Sequence, residues 1–185
     1  TLPPGASRKE ALDFARAKGG WILARLARLG ARIPFADGAV LPILGEPHRV
    51  RHDAKARVGV IRDAGEIVIS GREEHLARRL ADWLKSEAKA CIGPRAHAFA
   101  AALERKPGRI TVRDTRTRWG SCSHAGNLSF CWRLILAPGW VLDYVVAHEV
   151  AHLVHPHHGP AFWRTVSTLD VEADAARAWL RRDGE

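Results

Sequence analysis

The five residues His148-Glu149-Val150-Ala151-His152 constrain this chain more than any other stretch of it. Histidines four apart fall on one face of a helix, one turn from each other, so both imidazoles can bind one tetrahedral zinc ion at about 2.0–2.1 Å. The glutamate beside the first is rotated by about 100° and reaches the water that a catalytic zinc keeps, not the ion. It is placed as a general base. With 10 His and 10 Glu in 185 residues, composition alone produces such a pattern in about 3 chains of 100. The plainer reading is a helix carrying two surface histidines. The apolar turns before His148 weaken it, because they bury this helix, and a buried histidine pair without a partner is costly.

Catalytic zinc usually takes three protein ligands and leaves the fourth place open. His158, ten residues after His148, has the offset of the third ligand in H-E-x-x-H-x-x-G-x-x-H, in which the chain leaves the helix and doubles back. His155 stands at the glycine place and Pro156 follows it, so the chain needs another way to turn. The absence of methionine excludes the Met-turn that accompanies that motif. Glu172, twenty residues past His152, is the alternative ligand, at a thermolysin-like spacing on a following helix. Ligand type and reach favour His158. His155 and His157 are expected to be exposed neighbours or groups behind the ligands.

Around this helix the chain reads as α+β. Ser7 and Glu10 form a capping box before a helix with Leu12, Phe14, Trp21, Ile22, Leu26 and Leu29 on its apolar faces, which Gly19-Gly20 can interrupt. Short β-branched runs follow at Val40 to Leu44, Val58 to Ile61 and Ile67 to Ile69, with Asp63-Ala64-Gly65 as a hairpin turn. Leu76, Leu80, Trp83 and Leu84 mark a helix from Glu73 to about Ile92, and a second helix is expected from Pro94 to Leu103 after a break at Gly93. Ile110 to Val112 reads as a strand and Ser121 to Trp132 as a hairpin around His124 to Asn127. Pro138 suits the first turn of the motif helix, which is expected to run to about Val154. Pro160 is expected to open one last helix with Phe162, Trp163, Val166, Leu169, Trp179 and Leu180 inward. Residues 1–109 form an N-terminal basic α+β part and 110–185 the zinc-binding catalytic part of the same domain.

Charge follows that division. Residues 1–118 hold 24 Lys and Arg against 13 Asp and Glu, and residues 119–185 hold 5 against 7. The basic half is a candidate surface for an anionic partner, nucleic acid or nucleotide. Three scattered cysteines, Cys91, Cys122 and Cys131, cannot close a disulfide framework, so a reducing, cytoplasmic setting is expected. No apolar run approaches the roughly 20 residues of a membrane span, and Thr1 to Pro4 carries no signal-peptide pattern.

Several further groups are candidates. Arg116 and Arg118, beside Trp119, can hold a phosphate or a substrate carboxylate with two-pronged donors, against the plainer reading of arginines on an ordinary strand. The strand from Asn127 to Phe130 can pair with an extended peptide if it lies at a sheet edge. Cys122 and His124 form a C-x-H pair whose hairpin position favours packing or turn roles over metal binding. Trp83, Trp140, Trp163 and Trp179 fall on helical apolar stripes and read as core.

Taken together, Arg118-Trp119-Gly120-Ser121-Cys122, Asn127-Leu128-Ser129, Trp132 to Pro138, Leu142 to Val146, the His148 motif and His157-His158-Gly159-Pro160-Ala161-Phe162-Trp163 closely resemble the YgjP-like zinc metallopeptidase family. In the last segment His157 stands for the usual Asn and Gly159 for the usual Ser, while His158 is retained. A weaker likeness reaches back to Leu2 to Ser7, which resembles the end of a family strand and implies first strands upstream of Thr1. The resemblance implies a minimal zincin-type fold related to the WLM and SprT-like metallopeptidases, with zinc on His148, His152 and His158 and Glu149 as general base. Asn127, Arg116 and Arg118 are the substrate-binding candidates. The expected activity is hydrolysis of a peptide or protein substrate. Two other readings remain: a metal-dependent nucleoside triphosphate pyrophosphatase, which lacks a Gly-rich phosphate loop here, and a basic nucleic-acid-binding module with a structural zinc, which leaves Glu149 without a role.

Overall fold

A computed structural model describes residues 5, 7–21, 23, 33–57 and 59–184. The chain divides into two units, Thr1–Arg32 and Ile33–Glu185. In the first, α1 (Arg8–Ala17) begins with the expected reciprocal cap. Glu10 N–H donates to Ser7 Oγ at 3.2 Å, and Ser7 N–H donates to Glu10 Oε2 at 2.8 Å. The helix stops at Lys18, ahead of the glycine pair, and residues 19–21 and 23 are helical again. No residue of α1 is buried, and Phe14 and Trp21 are exposed. The expectations for Ile22, Leu26, Leu29 and most of the Leu2 to Ser7 segment lie outside the described residues.

The second unit opens with a four-stranded sheet, β1 (Val40–Ile43), β2 (Glu46–Asp53), β3 (Val60–Asp63) and β4 (Glu66–Ser70), in the order β1-β2-β4-β3. β2 and β4 pair in parallel, the other neighbours antiparallel. Both hairpins turn on two residues with positive φ, Ala64 and Gly65 (45° and 79°) and Leu44 and Gly45 (53° and 91°), the conformation that the right-handed strand twist favours. The first of these was expected from Asp63-Ala64-Gly65. β2 was not, because Glu46 to Asp53 is polar with only Val50 buried, so it carries almost no alternation of apolar residues. Val58, expected to begin a strand, lies outside the described residues.

A single helix, α2 (Leu76–Ala102), replaces the two expected from sequence, with Pro94 in its interior. Its buried residues recur every four positions, Leu76, Leu80, Leu84, Ala88, Ile92, Ala96 and Ala100, on both sides of the proline. An interior proline costs about 3 kcal/mol or more, while burial of one Leu or Ile contributes about 1.5–3 kcal/mol. The stripe therefore outweighs the break, and Pro94 itself faces solvent.

Next comes a three-stranded sheet of β5 (Ile110–Arg113), β6 (Gly120–Cys122) and β7 (Leu128–Cys131), ordered β5-β7-β6. β7 lies in the middle, parallel to β5 and antiparallel to β6. The expectation that Asn127 to Phe130 offers a free edge is thereby corrected: both its sides are paired, and the edge strand beside the motif helix is β6. That helix, α3 (Gly139–Ala151), is apolar nearly all round and buried. It starts after Pro138, which is its N-cap, and ends at Ala151, earlier than the expected Val154. The expected last helix is two, α4 (Pro160–Thr168) and α5 (Ala173–Arg182). Buried Leu169 and Asp170, at φ 52°, separate them.

One core cluster joins both sheets, α2, α3 and α4, running from Leu41 and Ile69 through Ile92 to Phe130, Val145 and Phe162. Residues on either side of position 109 share it. Trp83, Trp163 and Trp179 are packed against it, but Trp140, expected in the core, stands at the helix start and is exposed. Among the described residues no helix is long and apolar enough to cross a membrane.

Candidate metal centre and active site

The start of α3 is held from two sides. Gly139 N–H, one of the donors that a helix N-terminus leaves without an internal partner, donates to Leu44 O at 3.2 Å, and Leu44 N–H donates to Ile135 O at 2.8 Å. A Cβ on Gly45 would stand 3.2 Å from Pro138 Cα, so the β1–β2 turn seats directly on the helix cap. On its flank, Arg95 Nε of α2 donates to Asp143 Oδ1 at 2.6 Å.

At the other end, His148 and His152 project from one face of α3. The chain then turns without the glycine of the longer motif: His155 N–H and Val154 N–H both donate to Ala151 O, at 3.0 and 3.1 Å. Gly159 N–H donates to His157 O at 2.8 Å before Pro160 opens α4. This reversal returns His158 to the pair. The ligand atoms of His148, His152 and His158 lie within 4.8 Å of one another, the one such group of His, Cys, Asp or Glu among the described residues. Exposed Glu172 is the N-cap residue of α5 and is not part of it. Nor are His155 and His157, or Cys122 and His124.

The ring geometry suits a shared cation. His148 Nε2 and His158 Nε2 are 2.9 Å apart, a separation at which two ring nitrogens either share a proton or face a common ion. The His152 ring meets His155 O at 3.0 Å through Nδ1. A carbonyl only accepts, so Nδ1 donates there and Nε2 is the ring nitrogen left for the group. Tyr144 Oη stands 3.4 Å from His148 Nδ1. Burial, then the neighbouring His152 and His158, lowers His148 to about 4, and burial followed by His152 and His157 lowers His158 too. Both rings are thus uncharged near neutral pH, the form that coordinates metal.

α4 supplies the backing. The Phe162 ring, fully buried, sits 4.9, 4.6 and 4.7 Å from the His148, His152 and His158 rings, and Trp163 lies 5.9 Å from His148 and His158. From sequence both aromatics read as core residues; their place in the H-x-x-x-F-W segment that begins at the third histidine is the available signal.

Glu149 points to the opposite side of the helix from solvent and is 7% exposed. Burial pushes its carboxyl up to about 7, against the pull of Arg118's charge and of the Cys122 backbone N–H. Strand β6 lies directly on it: a Cβ on Gly120 would be 2.5 Å from Glu149 Cγ and 2.6 Å from Oε1. Gly120 carries no role that the sequence alone reveals. Half-buried Cys122 is held protonated by burial and by the nearby Glu149. Arg118 is exposed with its charge acting on Glu149, whereas Arg116 is exposed in the preceding turn. Asn127 is engaged in the fold: its Oδ1 accepts from Arg109 N–H at 2.8 Å.

A group of three convergent imidazoles with a buried carboxyl beside the first can hold a metal ion and carry a proton next to it. No curated protein matches the chain. The crystal structure of the metallopeptidase zymogen of Pyrococcus abyssi abylysin is similar at 20% identity and a TM-score of 0.37, over 55% of this chain and 89% of that one. A family profile described as YgjP-like, metallopeptidase domain, matches residues 1–183, so this triad and its glutamate sit in a chain that belongs to the YgjP-like metallopeptidase family.

Proposed function

We propose that the chain is a zinc-dependent peptidase in which His148, His152 and His158 hold the ion and Glu149 is the general base. The observation that carries this reading is the juxtaposition of three convergent histidines with a carboxyl buried under Gly120. Three nitrogen ligands favour zinc among the common divalent ions and leave a coordination place open. Zinc, when bound, acts as a Lewis acid and makes water more acidic. Glu149, with a proton affinity near neutral, takes a proton on a carboxylate oxygen and returns it to the leaving amine, which a carboxyl of ordinary acidity does less well. Phe162 and Trp163 exclude water from behind the ligands, and the His155 carbonyl fixes the ring orientation of His152. The outer edge of β6 borders Glu149, and an extended peptide can align along it.

Replacing Glu149 by Gln tests the reading. As a base and not a ligand, its loss leaves zinc content and melting temperature nearly unchanged while peptide hydrolysis falls by at least about a hundredfold. A parallel nucleotide screen separates the alternatives. Pyrophosphate cleavage that disappears in the same variant moves the activity to phosphoanhydrides, and peptide cleavage that persists in it assigns the hydrolysis to another site or to a contaminant.

A further inference from the structure

The three-stranded sheet has two faces of opposite chemistry. On one, Leu128 and Phe130 are buried and Gly120 lies on Glu149. On the other, the register sets Thr111, Ser129 and Ser121 in one row across β5, β7 and β6. Around that row is an open hollow of about 540 Å³, and Arg109, Arg113 and Arg118 line it. No carboxylate and no aromatic ring is among its lining residues. Asp114, next to Arg113 in the chain, is paired with Arg133 at 2.6 Å. Arg109 and Arg113 have no carboxylate partner at ion-pair distance among the described residues.

Such a face is complementary to carboxylates. A guanidinium offers two parallel donors to one carboxylate, and hydroxyls can donate to its remaining lone pairs. The lack of aromatic rings removes the stacking platform by which single-stranded nucleic acids are held. The hollow also borders β6, the strand that lies on Glu149. Ser121 and Cys122 of β6, and Arg118 just before it, line it. A chain lying along β6 therefore carries residues flanking its reacting bond over the edge and into the hollow.

We infer that this outer sheet face is a docking site for an acidic segment of the peptide substrate, with Asp or Glu side chains on Arg109, Arg113 and Arg118. The inference deepens the peptidase reading and rests on it. It makes the enzyme selective for substrates with acidic residues beside the cleaved bond, and it assigns the unpaired arginines a partner.

The test measures binding without turnover. Zinc-loaded Glu149→Gln protein is titrated into a fluorescent peptide containing a run of glutamates and into the same peptide with glutamines, and anisotropy is read. The acidic peptide binds about tenfold more tightly, and the difference shrinks between roughly 50 and roughly 200 mM salt. Most of it is lost in the added Arg109→Gln/Arg113→Gln variant, which keeps Arg118, at unchanged melting temperature and zinc content. Equal binding of the two peptides, or an advantage undiminished by the double substitution, overturns the inference. So does tighter binding of a single-stranded oligonucleotide that the same substitution abolishes, which would give this face to nucleic acid. Failure of the parent chain to cleave any peptide counts against the peptidase reading, and the binding result is read independently of it.

Discussion

A hydrogen atom in place of a methyl group at position 120 is what lets β6 close over the Glu149 carboxyl. Gly120→Ala places a Cβ 2.5 Å from Glu149 Cγ, and real contacts of that length do not occur, so strand or carboxyl must shift. A misplacement of about 1 Å near the reacting atoms costs on the order of a hundredfold in rate. The expected result is a turnover loss of that size with zinc content retained, read by kinetics and metal analysis on one sample. Full activity would show that Glu149 does not work from its place beneath the strand. The third histidine gives a second test. His158→Ala weakens zinc binding by more than about a hundredfold, whereas Glu172→Ala leaves it unchanged, because only His158 joins the pair; competition with a chelating dye measures both. The reverse order would transfer the ligand to Glu172. The histidine spacing was legible in the sequence because helix geometry turns offset into direction. Gly120 was not legible in role, since it meets the site through tertiary packing that no local pattern encodes.

Elements show the same division between local and distant causes. The Ser7–Glu10 cap and the Asp63-Ala64-Gly65 turn could be read directly, since each is completed by residues within a few positions. β2 could not, because Arg49 and Arg51 stand where a strand usually declares itself and only its neighbours β1 and β4 make it one. The Gly93-Pro94 break failed for the opposite reason. Local propensity argued for an end, and a buried stripe on both flanks overrode it. Pro94→Ala is accordingly expected to stabilise the fold by about 1–3 kcal/mol, restoring the missing hydrogen bond at an exposed site, less some unfolded-state entropy. Chemical denaturation reads the change. Destabilisation would mean that the proline ring fills a contact that the helix needs.

On the scale of the whole molecule, the residues with chemistry are concentrated after position 109, but their support is not. α2 brings Leu84 and Ile92, both fully buried, to the shared core and ties its Arg95 to Asp143 of the motif helix. The isolated stretch 110–185 is therefore expected to remain unfolded. Loss of the α2 stripe removes several side chains worth about 1.5–3 kcal/mol each, against a total stability of about 5–15 kcal/mol for a domain. Circular dichroism with a zinc titration checks this, and a fragment that folds cooperatively on its own would refute it. The β1–β2 turn carries the point further. Because Leu44 supplies the acceptor for Gly139 N–H and Gly45 sits on Pro138, the register of α3, and with it the direction of both histidines, is set by a hairpin tip far upstream. Transplanting His148 to His158 into another scaffold would carry over the three histidines without the strut that aims them. A designer seeking to retune this centre has a handle in that turn, remote from all three histidines.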